Sequence, residues 1–162
     1  DAFESKIYLP DIAGKYSEQN SISRGSVYVG NIFYHIKIPF KGWKKDYPLR
    51  FDPFDGIGEG EILKILLINK KSSKVEITFQ KGELFQFVHP INDIKLNSMN
   101  SQCQFVFKSI GNDPYFYINI GRNIKKDVEY ELQIISSFTI KGKKPFSNQL
   151  LFPVDTLDKK NK

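Results

Sequence analysis

Polar and apolar positions alternate along much of this chain, and the alternation predicts strands. In Ile32–Ile38, Ile32, Tyr34, Ile36 and Ile38 share one side while Phe33, His35 and Lys37 share the other. A strand buried on one face has this period of two. Pro39 is expected to end it, and Lys41–Pro48 reads as a loop holding the single Trp, Trp43. Leu49–Asp52 reads as a short strand stopped at Pro53, followed by a Gly-rich loop over Phe54–Gly60. Glu61–Asn69 is a long apolar run, and Lys74–Gln80 alternates at Val75, Ile77 and Phe79. The short Lys70–Lys74 segment between them suits a hairpin. Further strands are predicted at Val27–Val29, Leu84–Val88, Gln104–Lys108, Tyr115–Ile120, Val128–Ile135 and Ser137–Ile140, with turns at Lys81-Gly82, Gly111–Pro114 and Lys141–Lys143. His89-Pro90 is expected to interrupt the strand before it.

No segment sustains an apolar period of 3.6 residues. About nine or ten short strands separated by frequent turn signals define an all-β chain, expected to be an antiparallel β-sandwich, either jelly-roll-like or fibronectin/immunoglobulin-like. One domain is expected over residues 1–155. It opens with an irregular polar arm, residues 1–25, carrying one short strand at Lys6–Leu9. Residues 156–162 are expected to form a flexible basic tail.

Composition supports strands over helices. The chain has 14 Phe and 8 Tyr but a single Met, and Ala occurs only at Ala2 and Ala13. At 162 residues it can bury a sizeable core without disulfides or metal, and the single cysteine, Cys103, has no internal partner. There is no N-x-[ST] sequon, and the longest apolar stretch, Ile65–Ile68, is far too short to span a membrane. Net charge is +6, but the lysines are scattered in turn-like pairs such as Lys44-Lys45, Lys70-Lys71 and Lys143-Lys144, as expected of a solvated surface.

Candidate chemistry is sparse. His35 lies inside a strand and His89 at a strand end, so neither is placed for nucleophilic catalysis. No phosphate-binding loop, nucleophile elbow or zinc-spaced His/Cys cluster occurs, and no enzymatic activity is expected. Asp52, Asp55, Glu59 and Glu61 fall close together around the Gly-rich loop. Asp52, Asp55 and Glu59 are candidate Ca²⁺ ligands, although their spacing is not that of an EF-hand. Tyr115-Phe116-Tyr117 with Arg122 nearby is the best nucleic-acid-like surface, but no ribonucleoprotein motif accompanies it and no nucleic-acid partner is expected. Trp43, in the polar loop with Asp46 and Tyr47, is the candidate glycan-stacking ring. It can equally fold back as a lid on the core.

The segment Tyr47–Ile65 is the most distinctive. Arg50 and Asp52 lie on one side of a strand and can pair, while Leu49 and Phe51 face the other way. Its core, Leu49-Arg50-Phe51-Asp52-Pro53, with the following Gly-rich loop and apolar strand, resembles a segment of β-sandwich accessory modules of bacterial surface-polysaccharide glycosyltransferases. The resemblance covers roughly residues 30–70. It implies a non-catalytic, carbohydrate-associated module of a larger polysaccharide-biosynthesis protein, touching a glycan or packing on a catalytic domain, in the bacterial cytoplasm or cell envelope. It supplies no set of binding residues. A second stretch, Tyr130–Ile135 followed by Gly142, Pro145–Asn148 and Pro153, is similar to the last two strands of a fibronectin type III domain. The other reading left open is an interaction or spacer domain, adhesin-like or fibronectin-like, that binds no sugar.

Overall fold

The computed structural model describes residues 4–25, 27–29 and 33–140. The order of elements is β1 (Glu4–Tyr8), β2 (Ser21–Gly25), β3 (Val27–Val29), β4 (Phe33–Lys41), β5 (Leu49–Asp52), β6 (Gly58–Asn69), β7 (Val75–Gln80), α1 (Gly82–Phe87), β8 (Val88–Asn92), β9 (Ile94–Leu96), β10 (Phe105–Ser109), β11 (Tyr115–Ile118) and β12 (Glu129–Ile140). A five-stranded sheet runs β2-β1-β5-β11-β8. A seven-stranded sheet runs β3-β4-β12-β6-β10-β9, with β7 also paired to β6. Every pairing is antiparallel. Two packed antiparallel sheets make the chain an all-β sandwich.

The core lies between the sheets because alternate side chains of each strand point inward. Ile7, Leu49, Phe51, Phe116 and Ile118 come from the smaller sheet; Ile36, Ile38, Ile62, Ile65, Phe105, Phe107 and the even positions Tyr130–Phe138 of β12 come from the larger. Phe116 bridges the layers, packing edge-on against Phe107 at 4.9 Å and tilted against Phe105 at 5.8 Å. Rings in these arrangements contribute about 0.5–1.5 kcal/mol per pair beyond their buried area. Tyr130, at the start of β12, is buried, and its hydroxyl accepts from the Lys125 N–H (3.0 Å) and faces the Asn123 carbonyl (3.4 Å). Such a tyrosine ties the corner before a sandwich strand to the strand itself.

Several expectations are corrected. The polar arm is not irregular throughout: the strand expected at Lys6–Leu9 is β1, Glu4–Tyr8, and Ser21–Gly25 forms a second strand paired to it. Pro39 does not end β4, which runs on to Lys41 with Pro39 opposite Glu131. β3 covers only Phe33–His35, so Pro39 sits where β4 is an edge and its missing N–H is tolerated. Val128–Ile135 and Ser137–Ile140 are one strand, β12, and a register shift opposite β6 places Ile135 against Lys64 and Ser136 against Ile62. The extra residue, Leu63, moves the buried phase of β6 from Gly60 and Ile62 to Ile65 and Leu67, which is the action of a bulge. Leu84–Val88 is largely not strand: Gly82–Phe87 is a short helix whose Phe85 and Phe87 lie against Phe105 and Phe79. A helix this short carries too few residues to display its period. Strand β8 then continues through His89 and Pro90. With these changes the described residues hold twelve strands. Gly142, Pro145–Asn148, Pro153 and the 156–162 tail lie outside the described residues.

Candidate functional site

The five-stranded sheet buries one side of each strand and shows the other to solvent. Pairing registers align the outward residues into rows. Ser21, Tyr8, Arg50, Tyr117 and His89 lie across the sheet in one row, and Ser23, Lys6 and Asp52 start the next. Tyr115, two residues from Tyr117 on β11, shares its side. Most outward positions are therefore tyrosines or charged residues.

Arg50 organises this face. Its guanidinium lies 3.7 Å from the centroid of Tyr115 and 4.4 Å from that of Tyr8. Stacking of this kind contributes about 0.5–2 kcal/mol each, more when water is excluded. Nε and Nη2 donate to the two carboxylate oxygens of Asp52, both at 2.8 Å, and Nη2 also donates to Asp113 at 3.2 Å. The Arg50–Asp52 pair is mostly buried, with side chains 18% and 10% exposed. Burial acts against the Arg50 charge, but the hydrogen bonds and charge of Asp52, with Asp113, hold its pKa above the usual arginine range. Burial pushes the deeper Asp52 carboxyl up against Arg50's pull, so the pair costs desolvation on the carboxylate side.

The neighbouring groups are locked in place. Asp113 is carried by a turn in which its own N–H donates to Asp93 (3.1 Å) and its carbonyl accepts from Asn92 (2.9 Å). Glu18 accepts from the Tyr8 hydroxyl at 2.6 Å and from Lys6 at 2.9 Å. These two bonds, Tyr8's first, hold its carboxyl below the usual range. Burial, reinforced by Glu18 and Asp52, pushes the Tyr8 hydroxyl up to about 12. Tyr16 donates to the Pro48 carbonyl at 2.6 Å and lies 5.4 Å from Tyr117, which lies 6.1 Å from Tyr115. Burial raises the hydroxyl pKa of Tyr16 as well. Tyr16, Tyr117, Tyr115 and Arg50, half-buried, thus form a continuous platform with the buried Tyr8 beneath Arg50. At its end a cavity of about 90 Å³ is lined by Glu4, Lys6, Tyr8, Ser23, Asp52 and Asp55, with Phe54.

Of the residues singled out from the sequence, Arg50, Asp52, Asp55, Tyr115 and Tyr117 lie on or beside this face, and the Trp43 loop does not. Trp43 is only 7% exposed. It stacks on Phe40 at 5.8 Å and donates its indole N–H to the Tyr47 carbonyl at 3.1 Å. The ring offers no open face for a sugar, a correction that follows from the loop's attachment. Gly42 donates to Val128 (2.8 Å), its carbonyl accepts from Asp127 (3.1 Å), and a Cβ there would collide with the Lys125 carbonyl. The loop is drawn onto the end of the sandwich, and the indole goes with it. Asp46 is exposed and paired with Arg122 at 3.2 Å, and Tyr47 packs on Gly14. Arg122 therefore serves that loop, and it is Arg50 that meets the Tyr115/Tyr117 pair. Asp52, Asp55 and Glu59 do not come together as calcium ligands: Asp52 is held by Arg50, Glu59 lies on β6 opposite Lys108, and no group of three His, Cys, Asp or Glu able to hold a metal occurs among the described residues.

Sequence reasoning missed Tyr8, Tyr16 and Lys6, and grouped Tyr115 and Tyr117 with Arg122 rather than with Arg50. The available signal was the phase of the alternation. In Lys6-Ile7-Tyr8, Leu49-Arg50-Phe51-Asp52 and Tyr115-Phe116-Tyr117-Ile118, the aliphatic and Phe positions take the inward side and the tyrosines and charges take the other. Compared with models of known protein families, with curated proteins and with solved structures, the chain matches none. No helix among the described residues is long and apolar enough to cross a membrane.

Proposed function

We propose that this is a non-catalytic, carbohydrate-associated β-sandwich module that holds a glycan against the outer face of its five-stranded sheet. The observation that carries the reading is the Tyr16–Tyr117–Tyr115–Arg50–Tyr8 platform flanked by Asp113, Asp52, Lys6 and Glu18. Sugar rings have weakly positive C–H faces that suit the negative face of an aromatic ring. Their hydroxyls suit carboxylates and guanidinium groups that both accept and donate strongly. Because the polar groups are already paired with one another, they are pre-oriented, which lowers the cost of binding. Charge argues against a polyanionic ligand such as nucleic acid. The carboxylates of Glu4, Glu18, Asp52, Asp55 and Asp113 outnumber Lys6 and Arg50 around this face, whereas phosphate backbones require unpaired cations.

The setting, beside a glycosyltransferase in a bacterial polysaccharide-biosynthesis protein, is proposed from the Leu49–Pro53 resemblance alone. A second reading, an interaction or spacer domain, draws on one observation. Ile57 and Ile110, 47% and 63% exposed, flank an open groove of about 530 Å³ at the β6–β10 end, and exposed apolar surface suits a protein partner.

A glycan-array screen of the protein, including bacterial surface polysaccharides, tests the proposal with Tyr115→Ala and Tyr117→Ala as controls. Binding that either variant weakens by about tenfold, the low end of an aromatic anchor's worth, is the expected result. Silence from folded protein would remove the glycan reading and leave the interaction domain.

A further inference from the structure

A second, unrelated cavity lies at the end of the sandwich that Trp43 closes. It measures about 310 Å³, at the small end of the roughly 300–1,000 Å³ typical of ligand pockets. Pro10, Ile12, Gly42 and Trp43 give it an apolar wall, and Lys44, Lys45 and Lys126 stand at its rim with Asp11 and Asp127. Trp43, 7% exposed, is part of the lining. Ile12 is 86% exposed, so an apolar side chain stands uncovered beside the ring.

The rim carries three ammonium groups against two carboxylates, an excess of one positive charge. Asp11 is committed to its own turn, one carboxylate oxygen accepting from the N–H groups of both Ala13 and Lys15 at 2.9 Å. Lys45 reaches the Ile12 carbonyl at 3.5 Å and stands 5.9 Å from the Tyr47 ring centroid. Among the described residues none of Lys44, Lys45 or Lys126 has a carboxylate within ion-pair distance. An apolar wall with unpaired ammonium groups above it complements a molecule with an apolar ring at one end and an anion at the other.

We infer that this cavity is a binding site for a small ring compound bearing one carboxylate or phosphate, its ring against Trp43 and Ile12 and its anion among Lys44, Lys45 and Lys126. The site is independent of the tyrosine platform. It leaves Trp43 its structural role and adds a ligand contact to it.

Trp43, the chain's single tryptophan, is a built-in reporter. Its emission is followed while the intact protein is titrated with cyclohexanecarboxylate, cyclohexyl phosphate, inorganic phosphate and cyclohexanol. A saturable change with cyclohexanecarboxylate or cyclohexyl phosphate, absent with cyclohexanol, is expected, and the tighter of the two identifies the preferred anion as carboxylate or phosphate. Lys44→Gln and Lys126→Gln should each weaken it by about threefold to fivefold, the scale of one exposed ion pair. Tyr117→Ala should leave it unchanged. The inference is overturned by no saturable response to either ring anion, by cyclohexanol acting equally well, by inorganic phosphate binding as tightly as cyclohexyl phosphate, or by indifference to both lysine variants.

Discussion

Arg50 shows how much one side chain can organise on an open sheet face. It is stacked between Tyr8 and Tyr115 and forked onto Asp52, so it is both the centre of the platform and the partner of a mostly buried carboxylate. Asp52→Ala is expected to destabilise the protein by about 2–4 kcal/mol in urea denaturation, because it strips the bidentate partner from a guanidinium that is itself mostly buried. The double variant Arg50→Met/Asp52→Leu should lose less than Asp52→Ala alone, since neither charge is then buried without its partner; a larger loss would mean that the pair itself is strongly stabilising. Trp43→Ala should cost about 3–5 kcal/mol, as expected for a large buried ring. Tyr8 makes a pH-dependent contribution with a definite sign. Its folded pKa, about 12, lies above the ordinary value of 10.0, so the folded state holds this proton more tightly than the unfolded state. The stabilisation is complete below about pH 10 and is lost as pH rises through the folded value. Alkaline denaturation monitored from pH 9 to 12 should show a smaller fall for Tyr8→Phe than for the parent; an equal fall would contradict it.

At the scale of elements, packing overrides local signals in identifiable places. Leu49–Asp52 was legible to the residue, because Pro53 and the alternation coincide. The β6–β7 hairpin was legible too. Pro39 and the β8 Pro90 misled, because proline ends a strand only where its N–H would be needed, and edge exposure is a property of the assembled sheet. The bulge in β6 was hidden inside a continuous apolar run, where a phase shift leaves no mark. Likewise Trp43's burial depends on Gly42 meeting the Lys125–Val128 loop, a contact between segments far apart in sequence. Gly42→Ala is therefore expected to destabilise by about 1–3 kcal/mol, the usual cost of overpacking, with Trp43 emission moving toward that of solvent-exposed tryptophan. A variant as stable as the parent would show that the loop yields easily.

For the whole molecule, the sheets are unequal in character. The larger one supplies most of the core through β6 and β12, the longest strands of the described residues. The smaller one completes the core with Phe51 and Phe116 and spends its outward positions on tyrosines and charges. All-β character was readable because period-two alternation is local. The tyrosine platform was not, because rows across a sheet depend on strand order, and β1, β5 and β11 are brought side by side from distant parts of the chain.

Mapping backbone amide chemical-shift changes during titration with the polysaccharides that score in the array tests the proposed glycan-binding face most directly. Changes concentrated at Lys6, Tyr8, Arg50, Asp113, Tyr115, Tyr117 and His89 are predicted. Changes confined to Gly42–Tyr47, or spread over β4, β12 and β6 of the larger sheet, would contradict the assignment of the tyrosine platform as the glycan-binding face.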